Sequence, residues 1–218
     1  MQEIGMIFMT KKVAIVLLVL SSCSSLPSLD YFEAAKSSVN YVTGRNNFEI
    51  TSENYNTEEF SFIKMRIGRS TPVIMVLAYV DDGIFEWVGS DNSRIYTYKG
   101  KIIELDGFKN DIKIQHPKSK ISSFLRSKVN NYAIDFYRPS LLSLNVNTKI
   151  IKDENKKYTL KRLDNEDQFI EIEEIINAPL IRWKARNYYY FDSKGTIFKT
   201  IQHTHPRMPE IDIEFYIK

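Results

Sequence analysis

The fold is decided by one stretch of the sequence, Ile84-Phe-Glu-Trp-Val-Gly-Ser-Asp-Asn-Ser-Arg-Ile-Tyr-Thr-Tyr-Lys-Gly-Lys-Ile-Ile-Glu-Leu105. It contains three short segments rich in β-branched and aromatic residues, Ile84–Val88, Arg94–Tyr98 and Lys101–Leu105. The turns between them are too short for the crossover that a parallel strand pair needs. Lys99-Gly100 supplies the positive φ angles of a tight hairpin. We therefore predict that these segments form an antiparallel meander.

Segments with the same period of two residues lie on both sides of this stretch. They are Phe48–Thr51, Phe60–Ile67, Val73–Val80, Tyr132–Tyr137, Leu142–Ile151, Lys157–Leu163, Phe169–Ile176, Ile181–Phe191, Thr196–Gln202 and Glu210–Ile217. In the last segment apolar and polar residues alternate, which indicates one buried face and one solvent-exposed face. Asp82-Gly83 and Asp106-Gly107 are further hairpin signals.

Two details of these strands are open to a structural check. In Phe60–Ile67 the apolar residues change parity, so we predict a β-bulge near Phe62 and Ile63 that restores the apolar face. Farther along, Glu171, Glu173 and Glu174 fit a solvated strand face.

Two other segments have a helical period. One runs from Leu29 to about Val42 with Ser28 as a cap, and the other is Ser119–Val129. Open twisted sheets rarely exceed about 10 strands, so a sheet with this many must curl or close. We predict a single mainly β domain over residues 29–218. Its antiparallel meander curls into a barrel or half-barrel, with a sandwich as the alternative, and carries an N-terminal helix and one internal helix.

The first 22 residues are typical of a removable signal. Lys11-Lys12 precede the apolar run Val13–Leu20, and two serines follow it. Eight strongly apolar residues are too few for a transmembrane helix, which needs about 20. Residues 23–28 then form a short tether. Glu3, ahead of the lysines, is unusual for such a leader and leaves both Met1 and Met9 open as the translation start.

The single cysteine follows this leader directly. Leu20-Ser21-Ser22-Cys23 resembles the bacterial lipobox, in which the cysteine is acylated and becomes the first residue of the mature chain. The resemblance implies lipidation of Cys23 and a mature chain of 218 minus 22, or 196, residues. Several acyl chains anchor a protein durably where one does not. Ser24, rather than an aspartate, implies the outer membrane. The alternative is an ordinary free thiol.

The segment from Trp87 to Ile103 carries a second resemblance. It is similar to the YjbF/GfcB family of bacterial lipoproteins, which is associated with group 4 capsule and exopolysaccharide secretion. A turn that follows Tyr190-Phe191 also resembles that family. The matching residues are Trp87, Asp91, Asn92, Thr97, Gly100, Lys101, Asp192 and Gly195. The resemblance implies an outer-membrane lipoprotein on the periplasmic face of a Gram-negative cell, with a carrier-like antiparallel meander and no established catalytic residues.

Aromatic and basic side chains are the candidates for ligand contact. Trp87, Trp183, Tyr188 and Tyr190 could stack on the apolar faces of sugar rings, with packing in the sheet as the alternative. Adjacent tyrosines on a strand point to opposite faces and cannot form one platform. Another set could contact acidic polysaccharide or lipid headgroups, although a solvated surface explains it equally simply. That set is Lys109, Lys113, Lys118, Lys120, Arg126 and Lys128.

Metal and catalytic chemistry have weaker support. His203-Thr-His205 places two imidazoles on one side of an extended strand, so a third ligand from His116 or Asp212 would complete a zinc site. Pro206 follows at once and favours a turn, so no metal or other cofactor is predicted. One cysteine excludes an intramolecular disulfide and a multi-cysteine zinc site. The chain has no Gly-x-Ser-x-Gly elbow, and its formal charge of +3 is too weak for a nucleic-acid binder.

Three functions remain open at this point. The first is a non-enzymatic outer-membrane lipoprotein that assists capsule or exopolysaccharide biosynthesis or secretion, with acidic polysaccharide and capsule-export proteins as its partners. The second is a carrier that holds an acyl chain or another apolar ligand in the curled sheet, which requires an apolar pocket of about 300 Å³ or more. The third is a periplasmic glycan-modifying enzyme, which requires two convergent carboxylates or a metal cluster.

Overall fold

The computed structural model describes residues 49–115 and 127–218, with the side chains of 154–156 excepted. Two compact units divide the chain, Met1–Val42 and Thr43–Lys218, and every described residue belongs to the second. The leader, Cys23 and the predicted helix from Leu29 lie outside the described residues. So does most of the predicted helix Ser119–Val129, although Val129 itself begins a strand.

The described part of the chain is almost entirely β-structure. One short helix, α1, spans Ser52–Thr57 and begins with a capping box between Thr51 and Asn54. The strands are β1 Phe62–Ile67, β2 Val73–Asp81, β3 Ile84–Val88, β4 Arg94–Tyr98, β5 Lys101–Asp106, β6 Ile112–Gln115, β7 Val129–Tyr137, β8 Ser140–Arg162, β9 Asn165–Ala178, β10 Trp183–Phe191, β11 Ile197–Gln202 and β12 Ile211–Tyr216. Within the described ranges no helix has the length and apolarity to cross a membrane.

The twelve strands close into one antiparallel barrel. Each strand pairs with its neighbours in sequence, and β1 pairs with β12 to complete the circle. The predicted meander and its closure into a barrel are therefore confirmed. Because successive strands reverse direction, the connections alternate between the two ends. We call the end where β1 begins the proximal end, with the β2–β3, β4–β5, β8–β9 and β10–β11 connections, and the opposite end the distal end.

The alternation in β12 has the predicted consequence. Ile211, Ile213 and Phe215 are fully buried inside the barrel. On the outer face the polar residues between them form ion pairs with the neighbouring strand β1. The paired atoms are 3.6 Å apart for Lys64 and Glu214 and 3.3 Å apart for Arg66 and Asp212.

The predicted hairpin turns also form. Asp82-Gly83 and Lys99-Gly100 both adopt positive φ, and Gly107 does so at 82°. Gly100 has a second reason to lack a side chain. A Cβ atom there would lie 2.6 Å from Ile197 of β11, so the β4–β5 turn approaches β11 closely across the interior.

Two predictions were wrong, one about β1 and one about the segment that precedes it. No bulge occurs at Phe62 and Ile63, since β1 keeps one register with both neighbours. Phe62 is buried on the outer face instead, where it stacks on Tyr216 with ring centroids 4.8 Å apart. The described part of the predicted strand Phe48–Thr51 is not a strand but leads into α1. Tyr55 of α1 donates a hydrogen bond to the carbonyl of Ile217 at 2.9 Å, which holds α1 at the proximal end.

Strand boundaries differ from the predictions at two further places. β6, only four residues long, was not predicted, because Ile112 and Ile114 alone give too short an alternation. The predicted strands Leu142–Ile151 and Lys157–Leu163 are one long strand, β8, whose pairing with β9 is irregular between Lys152 and Lys157. Neither difference alters the order of strands around the barrel.

Candidate binding sites

Trp87 lies inside the barrel with none of its surface exposed. Its indole N–H donates a hydrogen bond to Thr97 Oγ1 at 2.9 Å, and its ring meets Phe215 edge-on at 5.9 Å. The residue therefore links β3, β4 and β12 in the core. No face of the ring is open to a sugar, so its role in this fold is packing.

Four other motif residues shape turns. Asp91 Oδ1 accepts hydrogen bonds from the Ser93 backbone N–H at 3.0 Å and from the Ser93 hydroxyl at 2.6 Å, and these bonds lower the pKa of Asp91. Asn92 adopts positive φ in the same distal turn. At the proximal end Asp192 Oδ1 accepts from two backbone N–H groups of the β10–β11 turn, which ends at Gly195.

Lys101 belongs to a group of polar side chains buried in the barrel interior. We call this group the interior cluster: Lys101, Tyr132, Glu174, Asn187, Tyr189 and Gln202. Its members come from five strands, β5, β7, β9, β10 and β11. Buried polar groups are costly unless they are paired, so the hydrogen bonds of the cluster decide its contribution.

Glu174 is the centre of the interior cluster. One carboxylate oxygen forms an ion pair with Lys101 Nζ. The other accepts from the Tyr189 hydroxyl at 2.8 Å and from the Asn187 amide at 3.1 Å. The prediction that Glu174 faces solvent was wrong, because it shares its parity with Ile172 and Ile176, which point inward. That parity was the signal available in the sequence.

Burial dominates the electrostatics of the cluster. It lowers the pKa of Lys101 to about 8, although the adjacent Glu174 carboxylate acts in the opposite direction. Burial, together with the charge of Glu174, raises the pKa of both Tyr132 and Tyr189. The two tyrosines therefore stay protonated at neutral pH, and Tyr189 serves as a hydrogen-bond donor to Glu174.

Gln202 fastens the cluster to the backbone of β5. Its side-chain oxygen accepts from the Ile102 N–H at 3.0 Å, and its amide donates to the Gly100 carbonyl at 2.8 Å. These two hydrogen bonds cross the barrel from β11 to the start of β5, at the point where Gly100 allows the two strands to approach closely. The cluster is sealed from solvent and its charges are paired, so it can join opposite walls of the barrel but offers no open reaction site.

The remaining aromatic candidates lie on different faces. Trp183 packs against the core from inside the barrel, with its ring 6.0 Å from that of Phe136. Tyr189 also points inward, whereas Tyr188 and Tyr190 are half-buried on the outside. Tyr190 meets Tyr158 edge-on at 5.9 Å, and burial and Glu171 raise its pKa. The four aromatic candidates therefore do not form one platform, and glycan stacking stays a prediction for Trp183, Tyr188 and Tyr190.

The histidine pair separates into two environments. Strand β11 ends at Gln202, so His203 and His205 lie in the β11–β12 loop and not on an extended strand. His203 Nε2 is 3.7 Å from Glu210 Oε2. His205 is buried edge-on against Phe136, and burial and the nearby Arg207 lower its pKa. Within the described ranges no three His, Cys, Asp or Glu side chains are arranged to hold a metal ion. His116 lies outside those ranges.

A cavity of about 780 Å³ lies at the proximal end. Apolar side chains dominate its lining, and its charged residues are two aspartates and two lysines. The apolar members are Phe85, Ile170, Ile172, Phe191, Ile197 and Ile217. This volume falls within the range of pockets that hold small organic ligands.

A second cavity, of about 740 Å³, lies at the distal end. The β1–β2, β5–β6 and β11–β12 connections and the β7–β8 hairpin surround it. Its lining is Ile67, Phe108, Lys109, Asn110, Arg138, Pro139, Arg207, Met208 and Pro209. Lys109 was a predicted contact for an acidic ligand, whereas the arginines were missed because they are far from it in sequence. Of the other predicted basic contacts, Lys113 pairs with Glu104, and Lys128 is exposed directly before β7, away from this cavity. Lys118, Lys120 and Arg126 lie outside the described residues.

The family model described as "Group 4 capsule polysaccharide lipoprotein gfcB, YjbF" matches residues 35–216. The chain belongs to this YjbF family. Every residue of the predicted family motif lies within the match. No curated protein matches the chain.

Two solved lipoprotein structures match the chain. The hypothetical lipoprotein YmcC from Escherichia coli K12 is 15% identical, and the match covers 89% of this chain and 98% of that one with a TM-score of 0.66. It shares the fold. A putative lipoprotein from Parabacteroides distasonis ATCC 8503 is 10% identical, with 73% and 95% covered and a TM-score of 0.37.

Proposed function

We propose that this protein is a lipid-anchored, non-catalytic lipoprotein that assists the biosynthesis or secretion of a capsule or exopolysaccharide. Its membership of a family described as capsule polysaccharide lipoproteins, over residues 35–216, carries the proposal. The lipobox Leu20-Ser21-Ser22-Cys23 supplies the anchor, and Ser24 directs it to the outer membrane, facing the periplasm. Contacts with the glycan or with other envelope proteins perform the task.

The positions of the motif residues support a role without catalysis. Trp87, Thr97 and Lys101 are buried in the core, and Asp91 and Asp192 accept hydrogen bonds from their own turns. These residues stabilise the barrel and present no reactive group to a substrate. Incubation of the purified protein with the capsule polysaccharide should leave its chain length unchanged by gel filtration. Shortened or modified glycan would favour the enzyme alternative instead.

Gene deletion tests the role in capsule secretion. Loss of the protein should reduce polysaccharide at the cell surface, and complementation with the wild-type chain should restore it. A Cys23→Ser chain should lose its acyl anchor, leave the outer-membrane fraction and fail to restore the polysaccharide. Unchanged surface polysaccharide in the deletion strain would contradict the proposal. A Cys23→Ser chain that still fractionates with the outer membrane would contradict the lipid anchor.

The proximal cavity favours a second candidate function, the transport of an apolar ligand such as an acyl chain. Its volume of about 780 Å³ exceeds what that function requires, and isoleucine and phenylalanine side chains dominate its lining. Ile170→Glu would place a charge in this lining and should abolish binding of a fluorescent fatty acid. Leu180→Glu, at an exposed position outside the cavity, is the matched control. Equal binding by the two variants would remove this candidate.

A further inference from the structure

The two cavities differ in charge. The charged residues that line the proximal cavity are Asp82, Asp192, Lys99 and Lys152, so their formal charges cancel. The distal cavity is lined by Lys109, Arg138 and Arg207 and by no carboxylate. A concentration of one sign of charge in a concave site attracts ligands of the opposite sign. The distal cavity therefore suits an anion, and the proximal cavity does not.

The three cations of the distal cavity have no carboxylate partner in the described part of the chain. All three are exposed at the rim, and none forms an ion pair there. Basic residues on the barrel wall behave differently: Lys113 pairs with Glu104 at 2.9 Å and Arg186 with Glu173 at 2.9 Å. Within the described residues, the three cations that line the distal cavity are thus left without ion pairs.

Hydrogen bonds and close packing fix the two loops that carry Lys109 and Arg207. The Arg207 N–H donates to His205 Nδ1 at 3.0 Å, within the β11–β12 loop. That loop packs on Gly68 of the β1–β2 turn, where a Cβ atom would lie 2.8 Å from Pro209. In the β5–β6 loop the Phe108 N–H donates a hydrogen bond to Asp111 Oδ1 at 2.7 Å. Such fixed loops reduce the entropy lost when a ligand binds.

The floor of the distal cavity is apolar. Ile67, Phe108 and Met208 are partly buried and pack against the core, while Pro139 and Pro209 stand at the rim. An acidic sugar presents both surfaces that this lining complements, a carboxylate and an apolar C–H face. Arginine recognises a carboxylate through paired hydrogen bonds, and aromatic and apolar side chains cover C–H groups. A volume of about 740 Å³ accommodates one or two sugar rings.

We propose that the distal cavity binds carboxylate-bearing sugars of an acidic polysaccharide. Arg138 and Arg207 contact the carboxylate, and Phe108 and Met208 lie under the ring. This assignment deepens the proposed function, on which it rests, because it names the binding site and the chemical class of the ligand.

Calorimetric titration of the full-length lipoprotein in detergent tests the site. The probes are an oligogalacturonate and the same oligomer with its carboxylates methyl-esterified, which keeps the rings and removes the charge. The wild-type protein should bind the acid form and not the ester. The double variant Arg138→Glu/Arg207→Glu should weaken binding at least about tenfold, since it replaces two charged hydrogen-bond donors with repelling carboxylates. Lys194→Glu, an exposed lysine in the β10–β11 turn at the opposite end, is the control and should bind as the wild type does.

Several outcomes would overturn the assignment. Equal losses in the double variant and in Lys194→Glu would indicate a general effect of net charge. Equal binding of the acid and the ester would exclude carboxylate recognition. Binding to phosphatidylglycerol vesicles that the double variant loses, without binding to the oligomer, would assign the cavity to a membrane surface. A folded Arg138→Gln/Arg207→Gln variant, checked by circular dichroism, guards against misfolding of the glutamate variant and should also bind weakly.

The same variants separate this assignment from the proposed function. If deletion of the gene reduces surface polysaccharide and the double variant restores it fully, the role in capsule secretion stands and the binding site is wrong. If deletion has no effect, the proposed function fails whatever the titration shows.

Discussion

The ion pair between Lys101 and Glu174 permits a quantitative test of the barrel interior. Lys101→Met removes the cation but keeps a side chain of similar length. The Glu174 carboxylate, with none of its surface exposed, is then left with neutral donors alone. Breaking one side of a buried ion pair costs about 3–5 kcal/mol at neutral pH. At about 2–4 °C per kcal/mol for a protein of this size, the Tm should fall by about 6–20 °C.

Equilibrium unfolding in urea, followed by circular dichroism at pH 7, measures this loss directly. Lys113→Met is the matched control, because Lys113 lies on the adjacent strand β6 and pairs with Glu104 on the outer surface. The lysine side chain of that pair is half exposed, so its loss should cost only about 0–1 kcal/mol. The double variant Lys101→Met/Glu174→Gln removes both charges and keeps an acceptor for Tyr189. It should recover to within about 2 kcal/mol of the wild type, since no unpaired charge remains buried.

Two results would refute this reasoning. If Lys101→Met costs no more than Lys113→Met, the interior is hydrated or the pair does not form. If the double variant is as unstable as Lys101→Met alone, an unpaired carboxylate is not the cause of the loss.

Two further predictions concern other contacts of the barrel. Gly100→Ala and Gly195→Ala both introduce a side chain at positive φ and should each lose about 1–2 kcal/mol. Gly100→Ala should lose about 1–3 kcal/mol more, because only its Cβ meets β11, and equal Tm values for the two would contradict the close approach. Thr97→Val should cost about 1–3 kcal/mol in urea unfolding by leaving the Trp87 N–H unpaired, whereas Thr97→Ser, which keeps the hydroxyl, should cost clearly less.

Local patterns in the sequence predicted most of the barrel. The alternation in β12 and the turns Asp82-Gly83 and Lys99-Gly100 depend on neighbouring residues only, and the structure has them as predicted. The number of strands predicted that the sheet must curl or close, but a barrel, a half-barrel and a sandwich all stayed open until the pairing of β1 with β12 was known. The predicted bulge in β1 was wrong because Phe62 is buried on the outer face under Tyr216. Tyr216 is far from Phe62 in sequence, so the residues around Phe62 gave no sign of this burial.

Local sequence patterns could not predict the interior cluster or the distal cavity. Glu174 could have been assigned to the interior from its parity, but the neighbouring Glu171 and Glu173 suggested a solvent-exposed face. Its partner Lys101 lies four strands away, and only closure of the barrel brings the two together. In the same way Lys109, Arg138 and Arg207 belong to three separate connections, which the antiparallel order collects at one end.

The residues that carried the predicted family resemblance therefore stabilise the barrel and do not line a binding site together. Trp87 bonds to Thr97 on the adjacent strand, and Lys101 pairs with Glu174 across the interior. Gly100 permits the close approach of β11, and its carbonyl accepts a hydrogen bond from Gln202. Substitution of these residues would affect stability first and ligand binding only through it. If the protein binds a glycan as we propose, specificity would reside in the connections, whose side chains the barrel does not need. Among the described residues, Lys109, Arg138 and Arg207 line the distal cavity without ion pairs and surround an apolar floor. Under our proposal, a difference between related proteins at these positions would change the polysaccharide recognised.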